Sequence, residues 1–186
     1  MKLRLHPVYK TTLLLAIVVG PLYWLTLTED GQLRTDAVLL NLLGKPEINL
    51  TIEGLHSDLT EAQLRGLFPD LALACEIVET SFGNRACRAE IDLFNTLPAR
   101  SFTLYLLGDQ LRAVRIDYRS RSHTALVDQL RYRLGRDGQP DPDHPDTLTW
   151  MVADGLILMP VKRPVDDKDA ALFWLSRAVL ASPRDS

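Results

Sequence analysis

Apolar residues form two kinds of pattern along this chain, one continuous and one periodic. The continuous pattern lies at residues 11–27, which contain no charged side chain. A helix of that length extends for roughly 26 Å, slightly less than the hydrocarbon core of a bilayer at about 30 Å. The residues before it include Lys2, Arg4 and Lys10 but no acid, and basic residues tend to stay on the cytoplasmic side. This pattern predicts an uncleaved transmembrane signal anchor at residues 11–27, with a cytoplasmic tail at residues 1–10.

Two other interpretations of the same segment stay open. A cleaved signal peptide requires small residues in an A-x-A-like pattern after the apolar run, and the sequence there is LTLTEDGQ, without such a pattern. A helix buried in a soluble domain is the third interpretation. With the anchor in place, the rest of the chain divides into a linker at residues 28–34, a periplasmic domain at residues 35–181 and a polar tail at residues 182–186.

The periodic pattern begins after the linker and alternates between helical and strand spacing. Apolar residues three and four positions apart predict helices at residues 35–43, 58–68 and 122–134. Alternating apolar and polar residues predict strands at residues 48–52, 74–79, 87–94, 101–107, 111–119, 147–153 and 156–163. Short turns with glycine and aspartate, at residues 108–110 and 154–155, predict two β-hairpins. Residues 170–176 fit either a strand or a short helix.

The order of these elements predicts an α+β fold. The helices at residues 58–68 and 122–134 are each followed by strands that can pair antiparallel. Antiparallel sheets commonly have one face on the core, so we expect an antiparallel sheet with helices packed on one face. Two successive helix–hairpin repeats are one arrangement that these elements allow.

The helix–loop–hairpin units carry a resemblance to a known class of domain. With LLGKP at residues 42–46 and the two glycine turns, they resemble the small repeats of envelope lipoproteins of the outer-membrane-assembly type. They are also similar to the β-lactamase-inhibitor-protein fold. The chain departs from the lipoproteins because it has no lipidation cysteine near the apolar run. The resemblance implies a periplasmic domain that binds other proteins rather than one that catalyses a reaction.

The two cysteines of the chain, Cys75 and Cys87, predict a disulfide. An even number of cysteines outside the cytoplasm favours pairing, and closing this loop would contribute about 3 kcal/mol in the chain-entropy model. Two unpaired thiols are the alternative. A metal site is not expected, because no histidine or further cysteine is near either residue.

Charge is unevenly distributed, although the net charge is only −3. Residues 112–136 hold seven arginines against two aspartates, between two acidic stretches. Guanidinium groups pair bidentately with carboxylates and phosphates, so the block is a candidate site for an anion or an acidic partner. Its candidate residues are Arg115, Arg119, Arg121 and Arg131. The alternative is a solvated face whose arginines pair with acids of the same chain.

No catalytic or cofactor motif is recognisable in the sequence. His56, His123 and His144 have no metal-ligand spacing from another histidine or cysteine. We expect His56 and His123, which lie beside predicted helices, to be solvated or to cap them. The acidic stretch at residues 141–146 has three prolines in or beside it and predicts a solvated loop. The sequence therefore predicts no catalytic residues, no metal and no cofactor.

Taken together, these patterns predict a single-pass inner-membrane protein whose periplasmic domain acts by binding. We expect a non-enzymatic component of a bacterial envelope complex, with a lipid bilayer around residues 11–27 and a protein partner for the domain. A binder or sensor of an anionic envelope glycan or lipid headgroup is the first alternative. An unrecognised hydrolase is the second, because a catalytic triad needs no fixed order along the chain. Nucleic acid is not an expected partner in this compartment.

Overall fold

A long helix precedes the domain in the computed structural model, which describes residues 7–28 and 46–181. This helix, α1, spans Pro7–Leu27 and contains Pro21. The apolar side chains at residues 13–19 are exposed, among them Leu14 at 64% and Ile17 at 63%. No helix in the described residues combines the length and apolar character needed to cross a membrane, so the transmembrane helix predicted for residues 11–27 is not supported. The helix predicted at residues 35–43, most of the linker and the polar tail lie outside the described residues.

Ten strands of the described residues form one sheet, which confirms the α+β class with an antiparallel sheet. Its order is β2-β3-β5-β6-β10-β9-β8-β7, with every neighbouring pair antiparallel. A short parallel pair, β1 with β4, extends from the beginning of β5. The strands are β1 (Glu47–Ile48), β2 (Ala74–Thr80), β3 (Gly83–Glu90), β4 (Leu93–Phe94), β5 (Leu97–Leu107), β6 (Gln110–Tyr118), β7 (Gln139–Pro140), β8 (Thr147–Val152), β9 (Gly155–Pro160) and β10 (Ala171–Ser176).

The segment whose conformation the sequence left open is the central strand β10. It lies between β6 and β9, with Trp174 opposite Val114 on one side and Ile157 on the other. Five of its six residues are buried, so both faces of the strand are covered and it lacks the alternation that identifies a half-buried strand. The two predicted hairpins, β5–β6 and β8–β9, are both present, and β10 separates them.

The strand predicted at residues 48–52 is shorter than expected. Pairing ends at Ile48, and a 3-10 turn follows at Ile52–Gly54. Between them the amide side chain of Asn95 accepts a hydrogen bond from the Leu50 N–H and donates one to the Leu50 carbonyl, at 2.8 and 3.0 Å. The main chain of Leu50 is thus satisfied by a side chain instead of a neighbouring strand, which ends the ladder.

Within residues 46–181, three α-helices follow: α2 (Glu61–Leu67), α3 (His123–Leu134) and α4 (Arg177–Leu180). Helix α2 begins with a capping box, in which the Thr60 side chain accepts from the Gln63 N–H and the Gln63 side chain accepts from the Thr60 N–H. Helix α3 ends at Gly135, whose φ of 64° is in the left-handed region that glycine adopts without strain. Both helices that the sequence predicts within the described residues are therefore present.

Helices α2 and α3 pack on the same face of the sheet, as predicted. Phe68, which ends α2, lies edge-on to Phe102 of β5, with ring centroids 5.3 Å apart. At the start of α3, the His123 ring bonds to the Tyr118 hydroxyl of β6. The side chains of this sheet face and the inner sides of both helices form one continuous core: Leu64, Cys87, Phe102, Leu104, Val114, Ile116, Leu126, Leu130, Trp150, Ile157, Leu172 and Trp174.

The predicted disulfide between Cys75 and Cys87 is confirmed. The two residues are directly opposite each other in β2 and β3, and their Cα atoms are 3.9 Å apart. The bond therefore holds the β2–β3 hairpin at a fixed register.

Candidate functional site

The structure divides the predicted arginine block between the two sides of the sheet. Arg115 in β6 alternates with Val114, which faces the core, so Arg115 lies on the side away from the helices. Arg131 is on α3, which packs on the core side through the contact of His123 with Tyr118. These two arginines therefore do not form a common surface.

Candidate arginines of this block form ion pairs within the chain. Arg115 pairs with Asp117 at 2.7 Å, Arg119 with Asp167 at 3.4 Å, and Arg131 with Asp128 at 3.0 Å and also with Asp137. Arg121 is exposed in the 3-10 turn Ser120–Ser122. Pairing with the chain's own acids was the alternative that the sequence left open, and binding of an external anion by these residues stays a prediction.

The sheet face away from α2 and α3, called the open face below, carries an aromatic cluster that the sequence did not reveal. The Phe82 ring lies 5.3 Å from Tyr105 and 6.1 Å from Phe173, measured between centroids. The Arg115 guanidinium lies over Phe173, 5.4 Å from the ring centroid. We refer to these four residues, all of them partly exposed, as the aromatic–arginine cluster.

The register of the strands assembles this cluster from distant parts of the chain. Residues directly opposite each other in antiparallel strands share a face, and Arg115 is opposite both Thr103 and Phe173. In the next row, Tyr105 is opposite Ala113, whose fully buried methyl group leaves room for larger neighbours. Part of this arrangement is visible in the sequence, because Tyr105 and Arg115 lie at positions of the predicted hairpin that face away from the core. The strand that pairs with Phe173 could not be assigned from the sequence.

Phe82 reaches the cluster because the β2–β3 turn lies close to β5. The Thr80 hydroxyl accepts from the Phe82 N–H at 3.2 Å and donates to the Gly83 carbonyl at 3.1 Å. A Cβ at Gly83 would lie 2.2 Å from the Leu106 carbonyl oxygen, so only glycine permits this approach. The turn borders a cleft of about 260 Å³ lined in part by Phe82, Gly83 and Leu107.

A buried carboxylate orients the arginine of the cluster. The Nε and Nη2 atoms of Arg115 are each 2.7 Å from Oδ1 of Asp117, and the Ser101 hydroxyl donates to Oδ2 of Asp117 at 2.5 Å. Asp117 and Ser101 are 7% and 0% exposed, whereas the Arg115 side chain is 34% exposed. The charge exposed to solvent at this point is therefore that of the Arg115 guanidinium, whose position is held by its two bonds to Asp117.

Two groups with shifted pKa values, Tyr118 and His123, are on the opposite, core side of the sheet. The Tyr118 hydroxyl is 2.8 Å from Nδ1 of His123. Burial raises the pKa of Tyr118 above its usual range. Burial also lowers the pKa of His123, and nearby Arg163 acts in the same direction, while a hydrogen bond to the main chain of Val161 opposes them. His123 is 4% exposed, so the expectation that it is solvated is wrong, because Tyr118 supplies a partner inside the core.

A serine and an acid form a second polar contact at the end of the β8–β9 hairpin. Oδ2 of Asp154 accepts from the Ser57 N–H at 2.6 Å and from the Ser57 hydroxyl at 2.8 Å. These two bonds lower the pKa of the Asp154 carboxyl. The Ser57 hydroxyl therefore donates to a carboxylate and not to a histidine base, which is the arrangement of a loop anchor rather than of an activated nucleophile.

One group of potential metal ligands occurs in the described residues: Glu61, Cys75 and Cys87. The two sulfur atoms are joined in the disulfide, so neither is a thiolate that could bind a metal. The Glu61 carboxylate is paired with Arg65 at 2.9 Å and with Arg85 at 3.3 Å. The group therefore fits a metal poorly.

Comparison of the chain with protein-family models, with curated proteins and with solved structures finds no match. The resemblance to envelope repeat domains therefore stays a prediction from the sequence pattern.

Proposed function

We propose that the chain is a non-enzymatic binding component of a bacterial envelope complex, and that it contacts a protein partner through the sheet face that holds the aromatic–arginine cluster. The single observation that carries this proposal is the grouping of Phe82, Tyr105 and Phe173 with Arg115 on the side of the sheet opposite the helices. Aromatic residues and arginine are the residue types that dominate binding energy at protein interfaces.

The apolar surface continues from the cluster across the sheet. Leu158 of β9 is directly opposite Phe173, and Leu156 lies in the row beside it, opposite Met151 of β8. Met151 is 55% exposed and both leucines are partly exposed. A contiguous apolar area of this kind with charged groups at its border is typical of a protein interaction site.

Charge on the same face favours an acidic partner. Arg88 of β3 and Arg115 of β6 are both opposite Thr103 of β5, one on each side, and Arg88 is exposed. Two guanidinium groups in one row can each pair with a carboxylate of the partner. We therefore propose a partner that presents an apolar surface together with acidic side chains.

The first alternative function is the binding of an anionic envelope glycan or lipid headgroup. The same row of Arg88 and Arg115 favours it, because guanidinium groups bind phosphate and carboxylate alike. A hydrolase is the second alternative. It has less support, because the most perturbed histidine, His123, bonds to a buried tyrosine hydroxyl.

The location is a separate proposal. We propose that the domain lies on the periplasmic side of the inner membrane and is attached to it by residues 11–27. Support comes from the basic residues before this segment, from the exposed apolar side chains of α1 and from the disulfide, which suits an oxidising compartment. A periplasm-specific reporter fused after Ser186 should be active, and the protein should remain in the membrane after a carbonate wash. A shortened product released by the wash would contradict attachment.

A photo-crosslinking experiment tests the proposed binding face. The photoreactive residue p-benzoylphenylalanine replaces Tyr105 on the open face, or Tyr132 as the matched control. Tyr132 is 89% exposed on α3, on the other side of the sheet. We expect irradiation of cells of the native host to give one discrete protein adduct from position 105 and none from position 132. A second change, Arg115→Met, should weaken the adduct, and added salt should weaken it in membranes because salt screens charge pairs.

The other outcomes of this experiment are decisive. A protease-resistant adduct that contains carbohydrate or lipid phosphate would replace the protein partner by the glycan or lipid alternative. Equal adducts from both positions, or no adduct from position 105, would contradict the proposed binding face.

A further inference from the structure

Strand β2 forms one edge of the sheet. Within the described ranges, 7–28 and 46–181, it pairs with β3 alone, and its outer side has no strand partner. The strand is exposed along its length: five of its seven residues are exposed, and the other two, Cys75 and Val78, are half-buried. A free edge presents a row of main-chain donors and acceptors to any extended segment that approaches it.

The cysteine pair establishes which main-chain groups point outward. In an antiparallel ladder, opposite residues are about 4.5 Å apart at non-hydrogen-bonded pairs and about 5.5 Å apart at hydrogen-bonded pairs. The Cα atoms of Cys75 and Cys87 are 3.9 Å apart, which identifies a non-hydrogen-bonded pair. The N–H and C=O of Cys75 therefore point away from β3, and so do those of Ile77, two positions further along the regular register. Those of Glu76 point toward β3.

The side chains of the edge define the chemistry of a segment that could pair with it. Ile77 is 90% exposed, and Glu76 and Glu79 are both exposed. Natural edges are often protected by charged residues and by bulges, and a register shift follows Ile77 here. Protection against unwanted strand pairing explains the two glutamates. It does not explain why Ile77, a large apolar residue between them, is almost fully exposed.

We propose that the β2 edge is a second interaction surface, which accepts an extended basic segment of a partner protein as an added strand. The main chain of that segment bonds to the outward groups of Cys75 and Ile77. Its lysine or arginine side chains face Glu76, and its apolar side chains face Ile77 on the other side of the joined sheet. This recognition combines main-chain bonding with side-chain alternation, as in other cases of strand addition.

Charge excludes a second copy of this chain as the preferred occupant. The strand carries Glu76 and Glu79 but no basic residue. Pairing of two copies along β2 would bring carboxylates of both chains together at one seam, and like charges on opposite strands are destabilising. A basic segment converts the same positions into favourable pairs.

Amide hydrogen exchange of the full chain in detergent micelles tests the proposal with two nonapeptides. One alternates valine and lysine, and the control alternates valine and glutamate, so both have the same length and the same apolar face. The lysine peptide should slow exchange of the Cys75 and Ile77 amides and leave that of Glu76, already bonded to β3, unchanged. Its affinity should exceed that of the glutamate peptide by about tenfold or more, which corresponds to one or more favourable charge pairs in place of repulsive ones.

Two variants separate main-chain pairing from simple charge attraction. Ile77→Pro removes the outward N–H and should abolish binding of the lysine peptide, whereas Ile77→Ala keeps the N–H and should retain most of it. Proline is tolerated in edge strands, and a thermal melt confirms that each variant is folded. Glu76→Gln should weaken binding by roughly two- to fivefold, the size of one cross-strand charge pair.

Each of the remaining outcomes overturns the proposal. Equal affinity for both peptides, or slower amide exchange only at Tyr105 and Phe173, would mean that the peptide does not add to β2 as a strand. The Cys75 and Ile77 amides could also exchange slowly without any peptide. If this slow exchange does not depend on protein concentration, another segment of this chain occupies the edge. The same protection, if it rises with concentration, would identify a second copy. None of these results bears on crosslinking from the open face, so the two proposals fail independently.

Discussion

Replacing Arg115 by methionine should destabilise the domain more than the same replacement at Arg131. Methionine keeps the length of the side chain and removes its charge. Arg115 bonds through two nitrogen atoms to Asp117, with side-chain exposures of 34% and 10% in the pair. The pair of Arg131 with Asp128 has side-chain exposures of 54% and 60%, so water already solvates both charges.

The magnitude follows from what each replacement leaves behind. Without Arg115, the buried carboxylate of Asp117 keeps the Ser101 hydroxyl but loses its ion partner. Hydrogen bonds to charged groups contribute about 1.5–3 kcal/mol, and partial exposure of the arginine brings the expected loss to about 1–2 kcal/mol. An exposed pair contributes about 0–1 kcal/mol. In a chain of this size, 1 kcal/mol corresponds to a change in Tm of roughly 2–4 °C.

Urea unfolding followed by tryptophan fluorescence measures the difference, because Trp150 and Trp174 are both buried in the core. A double-mutant cycle of Arg115→Met with Asp117→Asn should give a coupling energy of about 1 kcal/mol. Equal unfolding free energies for the Arg115 and Arg131 variants, with no coupling to Asp117, would refute the reasoning. That result would mean that the Arg115 guanidinium contributes nothing within the domain.

Three further predictions concern stability. Burial holds the pKa of His123 below its usual value of 6.5, so between about pH 7 and pH 5 the unfolded chain binds a proton more readily than the folded domain does. The free energy of unfolding should therefore fall as the pH drops through this range. In His123→Gln, which cannot bind this proton, the fall should be smaller. In Gly155→Ala the added methyl group would lie 2.2 Å from a main-chain oxygen of β10, and the change should lower the free energy of unfolding by about 1–3 kcal/mol. In the matched control Gly66→Ala the methyl group enters open space on a helix, so urea unfolding should show an unchanged or higher stability. Replacing Cys75 and Cys87 together by alanine should lower the free energy of unfolding by about 2–4 kcal/mol, and unchanged urea midpoints with and without reductant would contradict a stabilising disulfide.

Features determined by neighbouring residues were predictable from the sequence. The capping box of Thr60 with Gln63 identifies the start of α2, and Gly135 identifies the end of α3. The turn before Gln110 and the turn at Gly155 identify both hairpins. The disulfide followed from the number of cysteines and the expected compartment. Each of these depends on residues a few positions apart or on chemistry that needs no knowledge of packing.

Features determined by packing across the sheet were not predictable in the same way. The alternation in β6 indicates that Arg115 faces away from the core. Nothing in the local sequence indicates on which face of the sheet α3 packs. Because α3 packs on the core face, Arg131 and Arg115 lie on opposite sides of the sheet. The aromatic–arginine cluster requires the register of β10 against β6, which brings Phe173 beside Arg115. His123 looked solvated because a single polar residue at a helix start usually is, and only the tertiary contact with Tyr118 accounts for its burial.

The central position of β10 has a consequence for how the protein is made. Among residues 46–181, the strands before it, β2 to β6, and the strands from β7 to β9 are joined in the sheet only through Ala171–Ser176. A chain that emerges with its N-terminus first presents the open sides of β6 and β9 until β10 arrives, and such sides invite aggregation. Residues through Ser176 must therefore be synthesised, and translocated where the chain crosses a membrane, before the sheet can close. A stop codon just before Ala171 should yield two unjoined half-sheets rather than a slightly shortened domain.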